Sequence, residues 1–169
     1  LAALDPGNAD YFETNYQRLK KRIEDLDSRI KTAVETVPEQ NRRLLTYHDS
    51  FPYFGERYGL EIIGAVQPSN FSEPSAREVA RLIDQVRDTG VPAIFGSEVF
   101  PSPVMEQIAK EGGARFVAEL RDDDLPGKPG EPRHTYLGLM LADVEAIVSA
   151  LGGSTFSMDQ HRAVTSGGI

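Results

Sequence analysis

The 169-residue chain contains no cysteine and no tryptophan, and only 18 of its residues are lysine or arginine. The absence of cysteine excludes disulfides, thiolate metal sites and a cysteine nucleophile. Aspartate and glutamate together number 26, so the formal net charge is −8, which disfavours binding to the phosphate backbone of nucleic acids. No apolar run approaches the roughly 20 residues that a membrane-spanning helix needs, so we expect a chain that does not cross a membrane.

The remaining composition is typical of a globular domain, with 40% hydrophobic and 26% charged residues. The length suits one domain, or one domain with a short appendage. The first five residues have neither the basic region nor the long apolar stretch of a signal peptide. We therefore expect that the protein either stays in the cytoplasm or has a natural N-terminus that lies upstream of this sequence.

A long amphipathic helix is predicted from Asn8 to about Val37. Its apolar side chains recur at steps of three and four residues: Tyr16, Leu19, Ile23, Leu26, Ile30, Val34 and Val37. Pro38 ends the helix, because the residue before a proline is pushed out of the helical region. Roughly 29 residues at 1.5 Å each give a rod of about 40 Å. A rod of this length is expected to bridge to another part of a protein.

Strands and helices alternate after Arg42. The predicted strands are Arg43–Tyr47, Glu61–Val66, Pro92–Phe95 and Arg115–Leu120. Ser75 and Glu78 form a capping box before one helix, Ser102 and Pro103 open the next, and the last helix begins at Tyr136. This alternation predicts an α/β fold with a four-stranded parallel sheet flanked by helices and preceded by a long linking helix. We expect residues 1–38 to form the linking segment, 39–153 the α/β domain, and 154–169 a tail.

Polar residues follow three of the predicted strands. His48 follows the first strand, Glu98 the third, and Asp122–Asp124 the fourth. The carboxyl ends of parallel strands meet at one edge, where open α/β sheets bind ligands. An imidazole and a carboxylate are half of a four-ligand site suited to Zn²⁺ or Mn²⁺. The alternative interpretation is structural, with a histidine that hydrogen-bonds its surroundings and aspartates that cap a turn.

Motifs of several other functions are absent from the sequence. It contains no glycine-rich phosphate loop, no dinucleotide fingerprint and no nucleophile elbow. Asp122 and Asp124 do match the D-x-D pair of metal-dependent glycosyltransferases. A metal-dependent enzyme is therefore the alternative hypothesis, although it would need a nucleotide site that the sequence does not contain.

The residues around His48 resemble a known family signature. Residues 46–54, followed by Tyr58-Gly59-Leu60, are similar to the T-x-H-x-x-F-x-Y-F…Y-G-L pattern of the substrate-binding proteins of zinc/manganese ABC transporters. Similar motifs lie at residues 4–16 (D-P-x-N…N-Y), 73–76 (E-P-S), 120–125 (L-Y-x-D-S-L) and 135–143 (T-Y-x-x-M…N). The resemblance covers about residues 1–153, and Asp143 lies near the position of the family's asparagine.

The resemblance implies a metal receptor rather than an enzyme, with the metal between two lobes joined by a rigid helix. This chain would be the C-terminal lobe with that helix. The resemblance implies that the family's N-terminal lobe, with its two histidine ligands and its signal or lipoprotein segment, lies outside this sequence. His48 and Asp123 would be the ligands of this lobe, and Asp122, Asp124 and Glu98 are further candidates. A histidine at position 48 favours Zn²⁺ over Mn²⁺.

The resemblance also implies a location and partners. The receptor would act outside the cytoplasm, in the periplasm or as a cell-surface lipoprotein, and would deliver its metal to an ABC permease in the membrane. Phe51, Tyr53 and Phe54 are expected in the core. With two of four ligands missing, we expect the chain to bind Zn²⁺ far more weakly than a whole receptor. The bare surface meant for the other lobe is expected to promote dimers.

Overall fold

A computed structural model describes residues 1–67, 74–97 and 102–155 of the chain. A long helix comes first, and shorter strands and helices follow it. In chain order the elements are α1 (Ala9–Glu35), β1 (Arg43–His48), α2 (Pro52–Tyr58), β2 (Glu61–Gln67), α3 (Ala76–Thr89), β3 (Ala93–Ser97), α4 (Pro103–Gly112), β4 (Arg115–Leu120) and α5 (Tyr136–Ala150). Short 3-10 turns at Pro6–Asn8 and Glu39–Asn41 precede α1 and β1.

Across the described ranges, four strands form one parallel sheet in the order β2-β1-β3-β4. Thr46 of β1 lies opposite Phe95 of β3, which in turn lies opposite Val117 of β4. The parallel sheet, its covering helices and the long leading helix confirm the predicted fold class. Because all four strands point the same way, their carboxyl ends lie at one edge of the sheet.

Helices cover both faces of the sheet. On one face, α1 and α5 pack on a core that includes Leu44, Phe95 and Leu120. On the other, α3 and α4 enclose a second core around Leu45 and Ile94. All five residues of β3 are buried, as expected for a central strand covered on both sides.

Only the second half of α1 packs on the domain. Leu26, Ile30, Ala33 and Val34 are buried there. Along the first half, the apolar stripe stays open: Tyr16 is 56% exposed, Leu19 49% and Ile23 39%. The periodicity predicted the apolar stripe along the whole of α1, but the α/β domain covers only the second half of it.

Several helix ends follow the predicted capping chemistry. The Ser75 side chain accepts from the backbone N–H of Glu78, and the Glu78 carboxylate accepts from the backbone N–H of Ser75, which completes the capping box. Ser102 accepts from the N–H of Met105 at the start of α4. Gly90 and Gly113 end α3 and α4 with φ values of 61° and 81°, in the left-handed region that glycine tolerates best.

The boundaries of three strands differ from the prediction, and β2 extends one residue further than expected, to Gln67. β1 extends through His48, so the histidine is the last residue of the strand instead of following it. β3 begins after Pro92 and continues to Ser97. Proline has no N–H to give to a ladder, although the Pro92 carbonyl accepts from the N–H of Arg115 at 2.9 Å.

The short helix α2 was not predicted, and it corrects one burial expectation. Phe51 is buried and Phe54 is half-buried, as expected, but Tyr53 is 88% exposed. Residues three and four apart share a helix face, so Phe51, Phe54 and Tyr58 turn towards the core while Tyr53 turns away. The expectation that Tyr53 belongs to the core was wrong.

The end of α5 is joined to the end of α1. The N–H of Ser154 donates to the hydroxyl of Thr36 at 2.7 Å, and Asn41 donates to the carbonyl of Leu151 at 3.0 Å. Residues 156–169 of the predicted tail lie outside the described residues. Among the helices that the structure describes, none is both long enough and apolar enough to cross a membrane.

Candidate metal site

The carboxyl edge of the sheet contains a small, closely packed cavity that leaves no room for a water molecule. It lies over the end of β3, between the ends of β1 and β4. Its lining combines apolar core residues with the polar ends of the strands: Thr46, Tyr47, His48, Phe51, Phe95, Gly96, Ser97, Leu120 and Asp122. His48 and Asp122, distant in the sequence, thus meet at one site, as the topology of a parallel sheet predicts.

His48 is held in place by its neighbours in β1. The residue is half-buried, and the ring of Tyr47 packs edge-on against its imidazole with centroids 4.6 Å apart. The hydroxyl of Thr46 donates to the backbone carbonyl of His48 at 2.7 Å. These contacts restrain both the backbone and the ring of His48, so binding of a ligand to the imidazole would cost little further conformational entropy.

The acidic loop that follows β4 carries three exposed aspartates, Asp122, Asp123 and Asp124. Asp122 lines the cavity with His48 and accepts a hydrogen bond from the hydroxyl of Ser50 at 2.6 Å. Asp123 and Asp124 are not among the residues that line this cavity. The role of Asp123 as a metal ligand stays a prediction, and Glu98 lies outside the described residues.

A buried carboxyl group, that of Asp143, accepts a hydrogen bond from the backbone at the start of the acidic loop. Asp143 of α5 is 3% exposed, and its Oδ1 accepts from the backbone N–H of Arg121 at 3.0 Å. Burial raises the pKa of Asp143 to about 7, against the opposing effect of the Arg121 N–H, and the charge of Asp122 raises it further. The protonation state of this group therefore changes near neutral pH.

The donors present can supply part of a metal site. Within residues 1–67, 74–97 and 102–155, no group of three or more histidine, aspartate or glutamate side chains could hold an ion. Zn²⁺ in a closed site takes four ligands, so this chain would offer an imidazole and a carboxylate and would need further donors from elsewhere.

The contacts that Ser50 and Asp143 make at this edge were not predicted from the sequence. The role of Ser50 depends on a contact between two distant loops, which no motif indicates. Asp143 did carry a signal, since it is a charged residue within the apolar pattern of α5, between Met140 and Val144. A buried acid in such a pattern indicates a specific hydrogen-bond partner.

Comparison with known proteins identifies a matching family and several relatives. The sequence pattern of the family described as "Zinc-uptake complex component A periplasmic" matches residues 1–150. The zinc-binding protein TroA of Treponema pallidum is 30% identical over 155 residues, covering 89% of this chain and 50% of the relative. The manganese-binding lipoprotein MntA of Halalkalibacterium halodurans is 26% identical over 151 residues, with 89% and 50% covered.

Solved structures show the same similarity. The structure of the periplasmic zinc-binding protein TroA superposes with a TM-score of 0.79 at 29% identity, covering 89% of this chain and 56% of TroA. The cadmium-bound periplasmic metal-binding protein from Candidatus Liberibacter asiaticus superposes with a TM-score of 0.76 at 29% identity, with 89% and 55% covered. This chain spans about half the length of the curated relatives it matches. With the family pattern matched over residues 1–150, the chain belongs to the family of periplasmic zinc-uptake component A proteins.

Proposed function

We propose that this chain is a metal-binding lobe of the receptor of an ABC importer, and that it supplies His48 and one carboxylate of the acidic loop to a Zn²⁺ site. The observation that carries the proposal is that His48 and Asp122 line one cavity at the carboxyl edge of the sheet. Because the chain belongs to a family of metal-uptake proteins, we interpret this pair of side chains as part of a metal site. The metal is the transported ion, and the only bonds that the receptor would form and break are those between the metal and its ligands.

The choice of metal follows from the donor types. Imidazole nitrogen suits Zn²⁺ well, whereas Mn²⁺ prefers sites made mainly of oxygen donors. The relatives include proteins named for zinc and for manganese, so both ions belong in the test. The resemblance assigns the carboxylate to Asp123, and the cavity brings its neighbour Asp122 beside His48.

The linking helix supports the proposed division of the chain. Residues 1–38 would join the α/β lobe of residues 39–153 to a further lobe, and the open stripe of Tyr16, Leu19 and Ile23 would pack against it. The relatives are about twice as long as the matched segment, which leaves room for such a lobe. In the isolated chain, the same stripe would hold two copies together as a dimer. Analytical sedimentation of the chain tests for this dimer, with the Leu19→Glu variant as the control.

The cellular setting is part of the same proposal. Relatives named as periplasmic proteins or lipoproteins support action outside the cytoplasm and delivery of the metal to a membrane permease. No observation favours the glycosyltransferase-like alternative, because Asp124 is exposed and lies away from the lining of the His48 cavity. We therefore propose a receptor and not an enzyme.

Calorimetric titration with Zn²⁺ and with Mn²⁺ tests the proposal. The chain is expected to bind one Zn²⁺ more tightly than Mn²⁺, at micromolar or weaker affinity because half of the ligands are missing. His48→Ala should abolish Zn²⁺ binding, whereas the matched control His134→Ala should leave it unchanged. Equal Zn²⁺ binding by the chain and its His48→Ala variant would contradict the proposal. A submicromolar one-to-one complex with Zn²⁺ would contradict the expectation that this chain supplies only half of the metal ligands.

A further inference from the structure

The last strand of the sheet has an open outer edge. β4 stands at one end of the order β2-β1-β3-β4, so β3 pairs with one of its edges and no strand of the described ranges pairs with the other. Three of its six residues are exposed, whereas β2, at the opposite end of the sheet, has one exposed residue in seven. An unpaired strand edge is a template for pairing with another strand.

A groove of about 880 Å³ follows this edge of the sheet. Residues 115–119 of β4 line one side of it, and α5 and the segment between β4 and α5 line the other. Phe116 packs against one core of the domain and Val117 against the other, yet both line the groove. The groove therefore opens on the edge of the strand and leaves room beside its backbone.

The chain's own continuation does not suit this edge. The crossover from β3 to β4 runs through α4, on one face of the sheet, whereas α5, which follows β4, packs on the other face. A further parallel strand beyond β4, reached through α5, would thus need a crossover of the opposite hand. About 98% of such crossovers are right-handed, so we expect the occupant to come from another molecule.

The backbone of β4 fixes which groups point outward. The N–H of Arg115 donates to the carbonyl of Pro92, and the register with β3 is regular from Arg115 to Val117, with a shift of one residue before Leu120. Alternation then turns the backbone groups of Phe116 and Ala118 away from β3. Two antiparallel copies of β4 centred on Val117 would set Phe116 of each copy opposite Ala118 of the other, each pair exchanging both of its hydrogen bonds.

The same register matches the charges of the strand. It sets Arg115 of each copy opposite Glu119 of the other, at both ends of the paired segment, and facing opposite charges stabilise strand pairs. Both residues are exposed, and within the described ranges neither forms an ion pair. If the pairing were centred on Ala118 instead, Arg115 would face Arg121. The pattern of charges is therefore self-complementary about Val117.

We propose that the outer edge of β4 is an interface at which two copies of this chain pair antiparallel strands, with Phe116 opposite Ala118 and Arg115 opposite Glu119. This interface is separate from the candidate metal site and from the apolar stripe of α1. Its core is one short strand from each copy, so we expect a weak and reversible dimer.

Sedimentation equilibrium of the Leu19→Glu chain tests this interface, because that change removes association through the stripe of α1. We expect this chain still to form a dimer. Adding Arg115→Glu or Glu119→Arg should weaken the dimer about 10-fold or more, since each places like charges opposite each other at both ends. Arg77→Glu, the same charge reversal at an exposed position of α3, is the control and should leave the dimer unchanged. A Leu19→Glu chain that stays monomeric up to about 1 mM would overturn the proposal.

A mixing experiment tests the register itself. An equimolar mixture of the Arg115→Glu and Glu119→Arg chains should form a heterodimer, because one chain then presents only acids and the other only bases at these positions. The double variant Arg115→Glu/Glu119→Arg should dimerise like the Leu19→Glu parent. Unchanged thermal unfolding shows that each variant keeps its fold. Single variants that dimerise as tightly as the parent, or a mixture that stays monomeric, would overturn the pairing of Arg115 with Glu119.

Discussion

The buried carboxyl group of Asp143 accepts a hydrogen bond from the backbone N–H of Arg121, the first residue of the segment that carries Asp122, Asp123 and Asp124. This carboxyl group therefore links the core of the domain to the candidate site. Its raised pKa makes the stability of the domain dependent on pH in a definite direction.

The first prediction concerns that pH dependence. An unfolded aspartate has a pKa near 3.9, whereas Asp143 in the folded chain has a pKa of about 7. The folded state therefore binds the proton more tightly, and this group lowers the free energy of unfolding as pH rises from about 4 to about 7. Asp143→Asn keeps an oxygen acceptor for Arg121 without the charge. We expect it to be more stable than the parent chain by on the order of 4 kcal/mol at pH 8 and nearly equal at pH 4.

Urea denaturation of both chains from pH 4 to pH 8 measures this difference. Asp124→Asn, an exposed change of the same kind, serves as the control and should show little change in stability at any of these pH values. A stability difference between Asp143→Asn and the parent that does not vary with pH would contradict the assigned pKa.

The second prediction concerns the attachment of α2 to α1. Arg57 donates to both carboxylate oxygens of Asp27, at 2.5 and 2.6 Å, and the hydroxyl of Tyr58 donates at 2.8 Å. The hydrogen bonds from Arg57, and to a smaller extent the one from Tyr58, hold the pKa of Asp27 below its usual range. The stabilisation is therefore present above pH 4 and is lost as pH falls through the folded pKa.

Asp27→Asn is expected to cost roughly 0.5–1 kcal/mol of stability at pH 7 and low salt, because the partners remain partly exposed to solvent. Denaturation curves should show this loss shrinking below pH 4 and in high salt. Glu24→Gln, which removes an ion pair within α1 only, is the comparison. A loss from Asp27→Asn that is the same at pH 7 and pH 3 would show that the charge of Asp27 is not its source.

The third prediction concerns the close approach of α2 to β2. A Cβ atom on Gly55 would lie 2.6 Å from the carbonyl oxygen of Leu60 and 2.9 Å from Cδ1 of Ile62. Backbone and core must shift to admit it, so Gly55→Ala is expected to destabilise the chain by about 1–3 kcal/mol. Gly7→Ala, at an exposed position with only a loose contact, is the control. Thermal unfolding that leaves Gly55→Ala as stable as the control would contradict this packing.

The fourth prediction concerns the cap of α3. Ser75→Ala removes the hydroxyl that accepts from the N–H of Glu78, and we expect a loss of about 1 kcal/mol. Ser75→Asp retains an acceptor at the N-cap and should keep most of the stability. Equal stability of Ser75→Ala and the parent chain in urea would show that the capping box contributes little to this fold.

Much of the fold was predictable because its signals are local. The apolar periodicity of α1, the capping box of Ser75 and the strand-sized apolar runs each depend on residues a few positions apart. Helix α2 was missed because seven residues are too few for a clear period. The wrong expectation that Tyr53 lies in the core followed from that omission. Alternation predicted a parallel sheet, but the order β2-β1-β3-β4 depends on contacts between distant segments.

The candidate site was predictable to a similar degree. A parallel sheet places the ends of its strands together, so His48 and the acidic loop were expected at one edge. Which aspartate faces the histidine depends on the rotamer of an exposed side chain and on its bond to Ser50, 72 residues away. Neither periodicity nor motif spacing contains that information.

Zn²⁺ titration of the ¹⁵N-labelled chain, followed by nuclear magnetic resonance, tests the assignment of the metal site most directly. We predict that the imidazole signals of His48 and the amide signals of residues 120–124 shift together with one affinity, while those of His134 do not move. Shifts centred on His134, or a His48 imidazole that does not respond at saturating Zn²⁺, would contradict the assignment of this edge of the sheet as a metal site.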